Sequence, residues 1–449
     1  MRVAFTTLGC KVNQAESDAL RDALPSGVRE SASVDADVIV INTCTVTGEA
    51  DRKVRKAIHQ ALALPQSPTV LVTGCLAVVE PDSVSALSER VIICADKSRL
   101  PDVLAGLAPQ ARDTAVRGSA KARSGGEACV PQFGSALSDA RVSGFTDGVD
   151  TTSRSRRARV AVKVQDGCDT GCSYCIIPRA RGVPRSVPVL QVLREVEALV
   201  AAGVREVVLT GITIGAYDDG GVRLPGLLQA VAGTGVPRIR VSSVEPGDVT
   251  PELLDVAAGL PAFCRHLHIP LQSGCDRTLA RMRRPYDTEG FASVIERVDS
   301  ALPGAAVTTD VIVGFPGETD ADDAASREFV RTCGFSRLHV FRFSPRAGTE
   351  AATLPDRVPA GIIAERARAM RECGEQLQAE WVTGFDGVHA EALVERVRMD
   401  ANGLTIAEGT TREYLRVRVP VEGAVAGDLM QVSIGAPAAD GTVEALPVR

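Results

Sequence analysis

Short apolar runs alternate with amphipathic stretches along most of this chain of 449 residues. Near the N-terminus the runs are RVAFTTLGC, DVIVINTC and TVLVTGC, and a stretch with helical periodicity follows each of them. Continuous Val, Ile and Leu runs between amphipathic helices are typical of a parallel sheet covered by helices on both faces. The carboxyl ends of such strands lie along one edge, where ligands bind. The sequence therefore predicts an N-terminal α/β domain with a binding edge.

A cysteine ends each of these three runs. The three are Cys10, Cys44 and Cys75. One such cysteine is most simply a small buried residue, but three in phase with three βα units favour a shared set of ligands. Cys94 ends a further run, RVIIC. We interpret Cys94 as a core residue and leave open that it is a fourth ligand.

A second series of strands and helices begins at RARVAVKV. Its apolar runs are VAVKV, EVVLTG, RIRVSSVE, HLHIPLQ, VTTDVIVGF and RLHVFRF. Six consecutive βα units predict an open or partial (β/α)6 barrel rather than a full eightfold one. In such barrels the chemistry lies at the carboxyl ends of the strands.

Two other regions depart from this pattern. The stretch around residues 112–153 is rich in Gly, Ser, Ala and charge, which predicts a linker in which Cys129 has no role. After Trp381 apolar and polar residues alternate in twos between Gly, Asn and Pro, which predicts a small antiparallel β-barrel or sandwich. The predicted N-terminal domain, linker, barrel and β domain occupy residues 1–112, 113–153, 154–382 and 383–449.

Composition limits the partners and the compartment. The net charge is −6, so contacts to RNA must come from local basic patches. No apolar run is long enough to span a membrane, and the N-terminus lacks the apolar core of a signal peptide. We therefore expect a cytoplasmic monomer with no membrane partner. In a reducing compartment, twelve cysteines favour metal or redox chemistry over disulfides.

Three further cysteines lie within eight residues, in VQDGCDTGCSYCIIPRARG. They are Cys168, Cys172 and Cys175. Their spacing matches one helix face, but Gly167, Gly171 and Pro178 would break a helix and favour a loop. Structural zinc usually takes four protein ligands. Three thiolates better suit a 4Fe–4S cluster whose fourth iron is left open to bind a substrate.

The stretch CDTGCSYC, placed after the first strand of a partial barrel, resembles the signature of the radical S-adenosylmethionine enzymes. In that family the open iron is chelated by the amino and carboxylate groups of S-adenosylmethionine. An electron from the cluster then cleaves a carbon–sulfur bond and gives a 5′-deoxyadenosyl radical.

Other blocks resemble the methylthiotransferases within that family. They are TLGCKVNQAESDAL, VINTCTVTGEAD, HLHIPLQSG, DVIVGFPGET and HVFRFSPRAGT. The resemblance implies two 4Fe–4S clusters and S-adenosylmethionine as cofactors. The auxiliary cluster would be held by Cys10, Cys44 and Cys75, and the other by Cys168, Cys172 and Cys175. The closing β domain resembles the RNA-binding TRAM module, with GTTREYLRVRV as the matching stretch.

The substrate is also suggested by this resemblance. GCKVNQ and FRFSPRAGT most resemble the enzymes that act on N6-threonylcarbamoyladenosine, at position 37 beside the anticodon of tRNA. The resemblance implies that a methylthio group is added at C2 of this adenine. No side-chain acid or base removes that hydrogen at neutral pH, so a radical cofactor supplies the reactivity and no catalytic side chain is assigned. The expected partners are the tRNA anticodon stem-loop, a reductant such as a flavodoxin and a sulfur donor.

The strand ends of the predicted barrel supply candidate contacts to S-adenosylmethionine. Glycines there permit close approach of the backbone to a cofactor, although each candidate is equally well explained as a turn residue. The candidates are Thr210, Gly211, Ser243, Glu245, Gln272, Val313 and Gly314. We expect only one of His266 and His268 to face the interior of the barrel, and we assign neither as a ligand.

Three basic runs are candidate contacts to RNA, which are RSRRARV, PRARGVPRS and RTLARMRRPY. Such runs are usually solvated faces, but two of these flank the cysteine loop. The β domain has more acidic than basic residues, so shape and a few arginines, such as Arg412 and Arg416, would carry recognition there.

Three alternatives remain open. The same chemistry could act on an aspartate of ribosomal protein S12. A non-enzymatic iron–sulfur protein that binds RNA would also explain both cysteine triads, but it gives no reason for open irons. Zinc sites would need a fourth ligand, for which the candidates are Asp166, Asp169 and Cys94.

Overall fold

The computed structural model describes residues 1–108, 157–438 and 441–448. The predicted linker at 113–153 and Cys129 lie outside the described residues, so that interpretation and the predicted domain bounds stay predictions. Among the described residues no helix is both long enough and apolar enough to cross a membrane.

The described residues form two compact units. The first comprises residues 1–8, 17–43 and 53–108, and the second comprises residues 9–16, 44–52 and those from 157 onward. The bends after two N-terminal strands therefore group with the second unit.

The first unit contains a parallel five-stranded sheet in the order β2-β1-β3-β4-β5. Its strands are β1 (Arg2–Thr7), β2 (Arg29–Glu30), β3 (Val38–Thr43), β4 (Thr69–Gly74) and β5 (Val91–Ile93). The helices that begin or lie in this region are α1 (Lys11–Asp22), α2 (Gly48–Leu62), α3 (Cys75–Val79), α4 (Pro81–Ser85) and α5 (Leu100–Leu107).

Both faces of this sheet are buried. Ile39 and Ile41 of β3 pack with Ile58 of α2 on one face, and Val40 packs with Leu104 of α5 on the other. All six residues of β3 are buried, because alternate side chains of one strand enter different cores. The prediction of a parallel sheet between two helical layers is confirmed.

Six parallel strands form the partial barrel of the second unit. They are β6 (Arg159–Lys163), β7 (Glu206–Thr210), β8 (Arg238–Val241), β9 (His266–His268), β10 (Ala306–Val313) and β11 (Arg337–Arg342). They occur in chain order, and isolated bridges such as Ser243 to His268 join β8 to β9. Two short ladders pair Gln165–Asp166 with Arg185–Ser186 and Asp218–Asp219 with Val222–Arg223. The predicted partial (β/α)6 barrel is confirmed.

The helices of this region are α6 (Ile177–Arg181), α7 (Val189–Ala201), α8 (Leu224–Ala232), α9 (Pro251–Gly259), α10 (Asp276–Arg281), α11 (Thr288–Ala301), α12 (Asp320–Cys333) and α13 (Ala360–Thr383). Their apolar faces share one core with the strands. In α7, for example, Val192, Val196 and Leu199 recur at helical spacing and are fully buried.

The C-terminal strands close into a small barrel in the order β12-β13-β14-β16-β15. They are β12 (His389–Met399), β13 (Thr405–Thr411), β14 (Arg416–Pro420), β15 (Leu429–Pro437) and β16 (Val443–Pro447). The predicted barrel is confirmed, but it is not wholly antiparallel, because β14 and β16 pair in parallel.

A buried charge cluster connects the small barrel to the partial barrel within the second unit. Glu206 forms ion pairs with Arg238 (2.8 Å) and Arg240 (2.9 Å), and all three side chains are fully buried. The two guanidinium groups also donate to the carbonyl oxygens of Thr410 (3.1 Å) and Thr411 (3.1 Å). Burial raises the pKa of Glu206, but Arg240 and Arg238 outweigh it and lower that pKa to about 2.

Arg412 takes part in the same contact. Its side chain donates to the carbonyl oxygen of Pro261 (2.9 Å) and pairs with Glu391 (2.9 Å). The guanidinium group of Arg412 is therefore engaged within the protein, and its predicted contact to RNA stays a prediction. Arg416 is exposed.

Candidate functional site

The three-cysteine segment after β6 is a loop, as predicted. Gly167 and Gly171 have φ values of +80° and +75°, which other residues rarely adopt. The backbone N–H of Cys168 donates to the carbonyl oxygen of Gly182 (3.0 Å) and holds the loop against the end of α6. The segment can therefore wrap around a bound group.

The loop opens on a cavity of about 720 Å³ that lies within the second unit. The cysteines on its wall are Cys10, Cys168, Cys172 and Cys175. Five of the predicted cofactor contacts are on the same wall, which are Thr210, Gly211, Ser243, Glu245 and Gln272. The structure thus brings most of the predicted site together at the carboxyl ends of the strands, as barrel topology requires.

Two predicted cofactor contacts do not line the cavity. Val313 is 2% exposed and belongs to the core, and Gly314 packs against Ile363. Ile312 lines the cavity in their place. Successive side chains of β10 point to opposite faces of the sheet, so the prediction of Val313, one residue beyond Ile312, named a side chain on the face away from the cavity.

The N-terminal cysteines differ in exposure. Cys10 is exposed, whereas Cys44 and Cys75 are buried. Gly9 has a φ of +117°, and a Cβ atom at that position would lie only 2.5 Å from the Cβ of Cys44. A glycine is therefore required where the bends carrying Cys10 and Cys44 meet. Cys75 begins α3 directly after β4.

Arg284 is the main charged residue beside the cysteine loop. Its Nη1 donates to the Sγ of Cys172 (3.0 Å), its Nη2 pairs with Glu245, and its Nε donates to the hydroxyl of Tyr286 (2.9 Å). Its side chain is only 2% exposed. One guanidinium group thus links a loop cysteine to a predicted cofactor contact.

The three thiols of the loop are available as ligands for an iron–sulfur cluster. All three are free of disulfide bonds. Burial raises the pKa of Cys172, partly offset by Arg284, and burial raises the pKa of Cys175 to about 12. Metal centres bind the thiolate form, so a cluster must displace these protons. Three convergent thiols with one guanidinium donor fit a 4Fe–4S cluster that has one open iron.

Replacing Arg284 by methionine is expected to lower the kcat/KM for S-adenosylmethionine cleavage by roughly 100-fold. The change leaves the carboxylate of Glu245 half-buried without its cation, and losing one partner of a buried pair costs several kcal/mol. 5′-Deoxyadenosine production by the reconstituted protein measures it. Arg283→Met is the matched control, because the Arg283 side chain is 61% exposed. Equal rates for the two variants would contradict this role of Arg284.

A hydrogen-bonded trio of His268, Asp310 and His339 also lies on the cavity wall. The Oδ1 of Asp310 lies 3.3 Å from Nε2 of His268 and 3.1 Å from Nδ1 of His339. Burial raises the pKa of Asp310, but hydrogen bonds from the two imidazoles outweigh it and hold that pKa well below its usual range. The ligand atoms of the trio lie within 4.8 Å of one another, which is also close enough to hold a divalent ion.

The expectation that only one of His266 and His268 faces the interior was wrong. Both side chains line the cavity, and both bond to the hydroxyl of Thr308, at 3.1 Å and 2.9 Å. Residues two apart on a strand share a face, so the two had to point the same way.

Two of the basic runs are largely engaged within the second unit. Arg181 pairs with Glu16 (2.8 Å) and Asp166 (3.0 Å), and Arg277 pairs with Asp322. These runs therefore offer RNA fewer arginines than their composition suggested. Arg157 and Arg159 are the part of the first run that the structure describes.

The candidate fourth ligands for zinc are placed elsewhere or engaged. Asp166 is bound by Lys163 (2.8 Å) as well as by Arg181. Cys94 lies in the apolar core of the first unit, where burial raises the pKa of its thiol to about 11. Asp169 is exposed and does not line the cavity. This arrangement favours the three-thiolate cluster.

Two family descriptions match the chain. They are the Radical SAM superfamily over residues 162–330 and the uncharacterized protein family UPF0004 over residues 2–95. A Bacillus subtilis protein named threonylcarbamoyladenosine tRNA methylthiotransferase MtaB is 35% identical over 443 residues, which cover 96% of this chain and 93% of that protein. A Sorangium cellulosum protein named tRNA-2-methylthio-N(6)-dimethylallyladenosine synthase is 36% identical over 88% of this chain and 82% of its own length.

A solved structure shows the same fold at low sequence identity. The radical S-adenosylmethionine methyltransferase TsrM from Kitasatospora setae, with cobalamin and a 4Fe–4S cluster bound, superposes with a TM-score of 0.52 at 16% identity. The match covers 78% of this chain and 77% of that one.

The chain belongs to the radical S-adenosylmethionine methylthiotransferase family. It is an enzyme whose cofactors are S-adenosylmethionine and a 4Fe–4S cluster. The hypothesis of a non-enzymatic iron–sulfur protein is not retained.

Proposed function

We propose that this enzyme methylthiolates tRNA, and that its target is C2 of N6-threonylcarbamoyladenosine at position 37. The observation that carries the proposal is the cavity, whose wall joins the three-cysteine loop to Cys10 and to the strand-end residues. The relatives that share most of the chain are named as tRNA methylthiotransferases, and the first of them is named for threonylcarbamoyladenosine.

We assign Cys168, Cys172 and Cys175 as the ligands of the cluster that binds S-adenosylmethionine. When bound, the cluster and S-adenosylmethionine supply the electron and the radical that remove an otherwise unreactive C2 hydrogen. Glu245 and Gln272 on the same wall, with the backbone at Thr210 and Gly211, are the proposed contacts to S-adenosylmethionine. Arg284 positions Cys172 and Glu245 relative to each other.

We assign Cys10, Cys44 and Cys75 as the ligands of the auxiliary cluster, which would carry the sulfur. The order of the sheet supports this assignment, since β1, β3 and β4 are adjacent, parallel and in register. Each cysteine follows the carboxyl end of one of these strands in sequence, at the edge where parallel sheets bind ligands.

The protein's own residues hold and enclose the reacting groups. The cavity of about 720 Å³ is large enough for a cofactor with one base, and enclosure by its wall would shield a radical from water. The closed C-terminal barrel would contact the anticodon stem-loop, with the exposed Arg416 as one point of contact. A flavodoxin-like reductant and a sulfur donor complete the expected partners.

The proposed substrate is tested by mass spectrometry of a strain that lacks this gene. We expect tRNA nucleosides to lose 2-methylthio-N6-threonylcarbamoyladenosine and to retain the unthiolated nucleoside, with recovery on complementation. Ribosomal protein S12 should keep its mass. Loss of methylthiolation from S12 with unchanged tRNA nucleosides would overturn the proposal and favour the ribosomal substrate.

A further inference from the structure

Lys11 is a cation on the cavity wall that the cluster chemistry leaves without a role. It follows Cys10 and is the first residue of α1, and it belongs to the second unit. Its side chain is exposed and lines the cavity together with Tyr414, and the charged groups that act on it electrostatically include Arg159, Arg240 and Glu206. Arg159 and Glu206 begin β6 and β7, and His266, which begins β9, lines the same cavity as Lys11, so Lys11 belongs to the part of the cavity next to the base of the barrel.

No described residue accepts a hydrogen bond from the Lys11 ammonium group or pairs with it. Glu206, which acts on Lys11 electrostatically, and the two carboxylates of the cavity wall, Glu245 and Asp310, are already paired. Glu206 is held by Arg238 and Arg240, Glu245 by Arg284, and Asp310 by two histidines. Arginines outnumber carboxylates around Glu206. An anion that enters this part of the cavity can therefore form an ion pair with Lys11 without breaking an existing ion pair.

The substrate that we propose carries such an anion. The threonylcarbamoyl substituent ends in the carboxylate of a threonine residue, which is ionised at neutral pH. The carboxylate of S-adenosylmethionine is committed to the open iron in this family, so it does not need Lys11. Arg342 is also exposed on the wall, but it ends β11 at the carboxyl rim, at the opposite end of the strands from the base of the barrel.

We propose that Lys11 binds the carboxylate of the threonylcarbamoyl group and thereby selects this base over adenines with uncharged N6 substituents. This inference rests on the proposed function. A charge-assisted hydrogen bond in a cavity gives a preference of about 10- to 100-fold in kcat/KM.

The test uses two anticodon stem-loop RNAs that differ only at the threonylcarbamoyl carboxylate, which is free in one and a methyl ester in the other. The reconstituted full-length enzyme is compared with Lys11→Met, Lys11→Arg and the control Lys56→Met on α2. Each variant is first shown to contain as much iron as the wild type, because Lys11 adjoins Cys10.

We expect the wild type and Lys56→Met to prefer the free carboxylate by about 10- to 100-fold. Lys11→Met should lose this preference by slowing only the reaction of the free acid, and Lys11→Arg should retain part of it. The inference is overturned if Lys11→Met keeps the preference, if it slows both RNAs equally, or if the wild type shows no preference. Failure of the proposed function would be recognised separately, since the wild type would then cleave S-adenosylmethionine but thiolate neither RNA.

Discussion

Replacing Cys168, Cys172 and Cys175 together by alanine is expected to abolish S-adenosylmethionine cleavage. It should also lower the iron content of the reconstituted protein from about eight to about four atoms per chain. The three thiols share one wall of the cavity with the proposed cofactor contacts, so their loss removes both the cluster and the open iron. Iron analysis and an assay for 5′-deoxyadenosine measure the two effects.

Cys94→Ala is the control for this experiment. Cys94 packs in the apolar core of the first unit, so we expect unchanged iron content and activity with a small loss of stability. Zinc in place of iron in the wild type, or eight irons in the triple variant, would contradict the assignment of the loop.

Replacing Glu206 by glutamine is expected to lower the free energy of unfolding by about 3–5 kcal/mol. The change leaves Arg238 and Arg240 buried without their shared carboxylate at the base of the barrel. Urea denaturation at neutral pH measures the effect. Glu408→Gln is a matched control, because Glu408 pairs with Arg398 at the surface and should contribute below about 1 kcal/mol. Equal denaturation midpoints for the two variants would contradict this account.

The buried ion pairs of Glu206 with Arg238 and Arg240 also predict that the stability of the protein depends on pH in the acid range. The folded pKa of Glu206, about 2, lies below its ordinary value of 4.5. A depressed carboxyl pKa contributes stability above the unfolded value, and that stability is lost as the pH falls from about 4.5 towards 2. We expect the wild type to lose stability over this range more steeply than Glu206→Gln, in urea titrations at several pH values.

The strands, loops and βα units that were predicted correctly are those whose structure depends on residues close together in the sequence. The strands before Cys10, Cys44 and Cys75 and the loop around Cys168 were predictable, because strands buried on both faces appear as continuous apolar runs and glycine marks positions of positive φ. The partial barrel followed from six such units in succession. Five of the seven cofactor contacts that were predicted at its strand ends line the cavity.

The parts that sequence reasoning missed depend on tertiary contacts. Arg284 belongs to a basic run that resembled an RNA patch, and only the fold shows it bound to Cys172 and Glu245. Arg412 was predicted to contact RNA because the β domain resembles the TRAM module, and only the fold shows its side chain bonded to Pro261 and Glu391. The sequence could have pointed to Lys11, because it follows the predicted cluster ligand Cys10. That its side chain lines the cavity could not be known before the fold of the barrel was available.

Two errors about which face of a strand a side chain occupies were avoidable from residue numbering alone. His266 and His268 are two residues apart and had to share a face, and Val313 is one residue beyond the cavity-facing Ile312. The parallel pairing of β14 with β16 was not predictable in this way, because it depends on how the small barrel closes.

The most direct test of the central claim is one anaerobic reaction followed by mass spectrometry of the nucleosides. The reconstituted wild-type enzyme receives reductant, S-adenosylmethionine, a sulfur source and an equimolar mixture of two stem-loops. One carries N6-threonylcarbamoyladenosine at position 37 and the other N6-dimethylallyladenosine. The account predicts the 2-methylthio derivative of the first base and little of the second. Methylthiolation of the dimethylallyl base alone would contradict it.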